Sequence, residues 1–91
     1  TNAYYKPKTF STGLDIMVMN SKFNDEATEF NGNIRYYGNN EKYSVIVVMT
    51  DKKDNYNVTV NGENADVFIR DKGIVEITIS GDIKTAEIKV F

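Results

Sequence analysis

Hydrophobic and polar residues alternate through most of the second half of the chain. Tyr56, Val58 and Val60 are separated by Asn57 and Thr59, Val75, Ile77 and Ile79 by Glu76 and Thr78, and Ala86, Ile88 and Val90 by Glu87 and Lys89. A period of two places one set of side chains in a core and the other in solvent, which predicts strands over 56–60, 75–79 and 86–90. Ala65, Val67 and Ile69 predict another over 65–69. Between these stretches stand Asn61-Gly62, Asp71-Lys72-Gly73 and Ser80-Gly81-Asp82, residues that favour tight turns, with Gly73 expected to supply a positive φ.

The longest apolar run, Tyr43-Ser44-Val45-Ile46-Val47-Val48-Met49, does not alternate strictly. Seven residues suit a strand better than a helix, and turn-formers flank them at Gly38-Asn39-Asn40 and Asp51–Asn55. Val45, Val47 and Met49 are expected to meet an opposing sheet. Ile46 and Val48 then face outward, so the 21–30 segment, the N-terminal strand or a partner is expected to cover them.

The first half is less regular. Residues 3–10 predict a strand that lies at a sheet edge or is interrupted at Pro7, which has no backbone donor. Residues 14–20 predict a second, with Leu14, Ile16 and Val18 inward and Asp15, Met17 and Met19 outward. Residues 21–30 fit either a helical turn capped by Asn24 or a loop leading into a strand. Asn31-Gly32 either closes a hairpin of 27–30 with 34–37 or lies within one bent strand over 28–37, the second being preferred.

Seven to eight strands with turns every 8–12 residues predict an all-β domain. The expected fold is an immunoglobulin-like or fibronectin-like β-sandwich of mostly antiparallel strands, with a small β-barrel as second choice. Ninety-one residues make a single domain, 1–91. The start Thr-Asn-Ala-Tyr-Tyr-Lys fits a module excised from a larger chain or a processed mature domain.

Composition narrows the chemistry. There is no cysteine and no histidine, so thiolate and imidazole catalysis and the usual zinc sites are excluded. The acids fall in turns or on polar strand faces, no catalytic motif occurs, and no enzyme is expected. No cofactor or metal is expected either: Asp51-x-x-Asp54-Asn55 and Asn24-Asp25-Glu26 each gather too few oxygens for calcium, and Lys52 and Lys53 interrupt the first. The net charge is −2 without a basic face, which argues against nucleic acid. No apolar run approaches the ~20 residues of a membrane span.

The aromatic pairs carry the remaining signal. In a strand, neighbouring side chains point to opposite faces, so one ring each of Tyr4-Tyr5 and Tyr36-Tyr37 is expected at the surface. Arg35, Tyr36, Tyr37, Asn39 and Asn40, with Tyr5, form the candidate ligand-binding set: flat rings for stacking on sugar faces, and planar groups for hydroxyls. Partners of this chemistry are a polysaccharide or oligosaccharide, or a partner protein, since interfaces also favour Tyr and Arg. In general pattern the cysteine-free strands, rich in Asn, Lys and Tyr, resemble the immunoglobulin-like modules of bacterial extracellular enzymes and surface proteins. That resemblance implies an extracellular or cell-surface, non-catalytic module, carbohydrate-binding or serving as an interaction or spacer domain.

Overall fold

A computed structural model describes residues 7–91, and these form strands and turns with no helix. The strands are β1 (Thr9–Ser11), β2 (Ile16–Phe23), β3 (Phe30–Tyr36), β4 (Lys42–Val48), β5 (Val58–Val60), β6 (Glu63–Asn64), β7 (Asp66–Asp71), β8 (Ile74–Ser80) and β9 (Thr85–Val90). They build two antiparallel sheets, ordered β1-β4-β8-β7 and β2-β3-β9-β5-β6. The inner faces share one apolar core, giving the β-sandwich expected from the alternation.

In an immunoglobulin-type sandwich the sheets run A-B-E-D and C-F-G. With β1, β4, β5, β7, β8 and β9 taken as A to F, the four-stranded sheet reads A-B-E-D and β5-β9 reads C-F. The position beside F is filled by β3, which precedes B in the chain. The β2–β3 hairpin from the first half therefore completes a sheet whose other members come from the second half, and β9 lies between β3 and β5.

The core follows the sequence pattern closely in the later strands. Val75, Ile77 and Ile79, Ala86, Ile88 and Val90, and Val45, Val47 and Met49 are all buried. β4 lies between β1 and β8, inside its sheet. On its outer side Val48 is buried and Ile46 half-buried, beside Thr9 and Ile74, and Ser11 and Glu76, respectively. The described part of the N-terminal strand pairs alongside β4 instead of lying over it. The 24–29 turn reaches the end of the strand, where Ala27 O accepts a hydrogen bond from Thr50 N–H at 3.0 Å.

One expectation needs correction, and two open alternatives are resolved. The strand expected over 14–20 runs from Ile16 to Phe23; Leu14 sits in a turn, fully exposed, and Val18 is exposed as well. β2 is the edge of the five-stranded sheet, so most of its residues have no opposing sheet to bury them. No helical turn forms at 24–29. Asn24 still acts as a cap, but of a tight turn: its Oδ1 accepts from Thr28 N–H at 2.8 Å and Glu29 N–H at 3.0 Å. Asn31-Gly32 lies inside β3, so the preferred reading of a single strand holds, over Phe30–Tyr36 within the expected 28–37; the register shift is across the ladder, between Val18 and Asn20 of β2. Asn61 and Gly62 do make the expected hairpin turn, both at positive φ. Of the strand expected over 3–10, the described part is Thr9–Ser11, and residues 3–6 lie outside the described residues.

Candidate functional site

The β3 strand divides the predicted ligand-binding set between two environments. Tyr36 points into the core, only 2% exposed, and its ring stacks on Tyr43 with centroids 4.0 Å apart and planes at 19°. Its Oη accepts a hydrogen bond from Asn40 N–H at 2.9 Å. Tyr36 therefore shapes the loop after β3 from within and cannot stack on a ligand, a correction to its expected role. Tyr43 Oη donates to Ile83 O at 2.6 Å, and burial, aided by the neighbouring Tyr36, pushes its pKa up to about 12.

Alternation places Arg35 and Tyr37 on the other side. Tyr37 is 58% exposed, and the Arg35 guanidinium lies 5.4 Å from its ring centre, within cation–π range. Asn39 and Asn40 are exposed on the 37–41 loop, which is held by several backbone contacts. Tyr37 N–H donates to Asp15 O at 2.8 Å, Gly81 N–H to Glu41 O at 2.7 Å, and Lys84 Nζ to Gly38 O at 3.0 Å. A Cβ on Gly38 would overlap Tyr36 Oη and Asp15 Oδ2, so a larger residue there must displace the buried Tyr36 ring. Tyr5 lies outside the described residues.

The strand register joins Arg35 to residues the sequence pattern did not bring together. Side chains directly paired across the ladder share a face. On the outer face of the five-stranded sheet, Met17 pairs with Arg35 and Arg35 with Thr85; Asn20 with Asn33 and Asn33 with Glu87. A third row runs Lys22, Asn31, Lys89, Thr59, Asn64 across all five strands. Asn33 Nδ2 donates to Asn20 Oδ1 at 2.9 Å, fixing two of the amides. Phe91 continues the line of β9 by one residue, bonded both ways to Asn57 at 2.8 Å, and its ring is 46% exposed. Because Val90 points inward, Phe91 points outward.

The face is thus a field of amides, hydroxyls and charges with an exposed aromatic ring near each end of β3. Tyr37 follows its last residue, and Phe91 lies beyond the Phe30–Val90 pair at its start. Eight strand positions at ~3.3 Å each set the rings about 25 Å apart. Near the Phe91 end, Lys22, Glu29, Asn31, Lys89 and Phe91 border a shallow cavity of about 330 Å³.

The two loops weighed for calcium are engaged internally. Asn24 Oδ1 is taken by the two amides already described. In the other loop, Tyr56 Oη donates to Asp51 Oδ1 at 2.5 Å and accepts from Lys53 N–H at 3.0 Å, while Lys53 Nζ lies 3.5 Å from Asp51 Oδ2. Burial and the Asp51 carboxylate push the Tyr56 pKa up to about 12, against the weaker opposing effect of the Lys53 amide. Among the described residues no three Asp or Glu side chains gather as a metal-binding group, and no helix is long and apolar enough to cross a membrane.

No protein-family model, curated protein or solved structure matches the chain.

Proposed function

We propose that the domain is a non-catalytic carbohydrate-binding module of an extracellular or cell-surface bacterial protein, and that it grips a polysaccharide along the outer face of the five-stranded sheet. One observation carries this reading: the amide-rich rows of β2, β3 and β9 end in the exposed rings of Tyr37 and Phe91. Aromatic faces cover the apolar faces of sugar rings, and Asn, Arg and Lys side chains fixed on strands supply hydrogen bonds to hydroxyls. A span of about 25 Å suits an extended chain of several sugars better than a single one. Of the expected set, Arg35, Tyr37, Asn39 and Asn40 keep a binding role, and Asn31, Asn33 and Phe91 join them. Affinity electrophoresis of the wild type against Tyr37→Ala and Phe91→Ala, over a polysaccharide panel, tests the reading. Retardation by at least one glycan, lost in both variants, supports it. No retardation by any glycan removes it.

A second reading, a protein-interaction module, has its own observation. Leu14, Met17, Val18 and Met19 are exposed in or beside β2, which has no further strand beside it among the described residues. Exposed aliphatic residues along an unpaired edge favour a protein partner over a sugar. Met19→Lys separates the two readings: it weakens a protein contact at this edge and leaves glycan retardation unchanged.

A further inference from the structure

The outer face of the five-stranded sheet differs in charge from the rest of the molecule. Its strand positions carry three cations, Lys22, Arg35 and Lys89, against one anion, Glu87, on a chain whose net charge is −2. Lys22 and Lys89 flank Asn31 directly in register, one on each neighbouring strand. With strands ~4.8 Å apart, their backbones stand about 10 Å from each other. Neither lysine forms a salt bridge with a described residue, and both border the 330 Å³ cavity beside Phe91.

We infer that the preferred ligand is an anionic polysaccharide, with a sugar carboxylate seated between Lys22 and Lys89; this rests on the carbohydrate reading above. Two ammonium groups on either side of an amide form a site where one carboxylate meets two opposite charges and the Asn31 side chain meets a neighbouring hydroxyl. Phe91 supplies an apolar surface for the ring that bears the carboxylate. Arg35, two positions along β3 from Asn33, extends the positive strip toward Tyr37, so a chain with repeated carboxylates meets a cation at both ends. Glu29 at the rim and Glu87 within the strip repel a misplaced carboxylate, which favours one register of the chain over a smeared attraction. The lysines are exposed, so their attraction is screened by salt and must weaken as ionic strength rises.

The test compares polygalacturonate with its fully methyl-esterified form, which keeps the sugar backbone and removes the charge. Binding is measured for the wild type, Lys22→Gln, Lys89→Gln and the double variant, with Lys72→Gln in the β7–β8 turn of the other sheet as a control. The expected result is at least tenfold tighter binding of the acid form than of the ester. The double variant should lose that preference, Lys72→Gln should keep it, and all variants should melt like the wild type. Equal binding of acid and ester, or a preference that survives the double variant or falls equally in Lys72→Gln, overturns the inference and leaves the carbohydrate reading in place. Binding of neither form, nor of any other glycan, overturns both.

Discussion

The rings of Tyr36 and Tyr43 lie face to face with centroids 4.0 Å apart, and they join the two sheets of the sandwich. Tyr36 belongs to β3 and Tyr43 to β4, so the stack fixes the end of the candidate binding strand against the opposing layer. Removing the Tyr36 ring, in Tyr36→Ala, should cost about 3–5 kcal/mol from lost packing and the cavity left behind. Tyr36→Phe keeps the ring and strands the Asn40 amide, at a cost of about 1 kcal/mol. Denaturant melts give both values. A loss in Tyr36→Phe as large as in Tyr36→Ala would mean that the hydroxyl, and not the stack, dominates.

β4 gives the sharpest contrast in stability. Val47 is fully buried between the sheets, and Val47→Asp should unfold the domain, because an unpaired carboxylate in that position costs several kcal/mol against a total of roughly 5–15. Ile46, on the outer side and half-buried, should tolerate Asp with a much smaller loss. Circular dichroism of the two variants checks the contrast, and a folded Val47→Asp would contradict the core assignment.

Stability should fall in strong alkali. Tyr43 and Tyr56 have folded pKa values raised to about 12 from an ordinary value of 10. Between those values the unfolded chain has released protons that the folded one still holds. Stability contributed by these groups is therefore complete below pH 10 and lost as pH rises from about 10 to about 12. Melting temperature against pH should drop over that interval, and Tyr56→Phe should make the drop shallower. A flat profile across it would contradict the partly buried placement of both hydroxyls.

Asn61 extends the short β5 onto β9 with its side chain as well as its backbone. Its Nδ2 donates to Thr85 O at 3.1 Å, and its Oδ1 accepts from Glu87 N–H at 2.8 Å. It also holds a positive φ, which Asn tolerates better than Ala. Asn61→Ala should cost about 1–3 kcal/mol and speed hydrogen exchange at Glu87. Unchanged exchange there would show that the side chain adds nothing to the sheet.

Periodicity made the later strands legible because each has one face in the core and one in water. Val75 to Ile79 and Ala86 to Val90 fall where their alternation puts them. Leu14 and Val18 misled for a physical reason: they lie in a turn and on an open sheet edge, where apolar residues need not be buried. Asn31-Gly32 lies within a strand, as preferred, because turn chemistry yields to pairing on both sides, with β2 and with β9. The pairing of β3 with β9 joins residues fifty to sixty positions apart, and no local pattern encodes it. For that reason the sequence shows that one ring of Tyr36-Tyr37 is displayed but not which one, and Lys22, Asn31 and Lys89 become neighbours only in the folded sheet.

The most direct test of the binding face is amide chemical-shift mapping of the folded domain during titration with polygalacturonate and with neutral glycans. The account predicts that perturbations concentrate on the outward positions of β2, β3 and β9, at Asn20, Lys22, Asn31, Asn33, Arg35 and Lys89, and on Tyr37 and Phe91. Perturbations confined to the outer face of the four-stranded sheet, around Phe68 and Glu76, or none with any glycan, would contradict it.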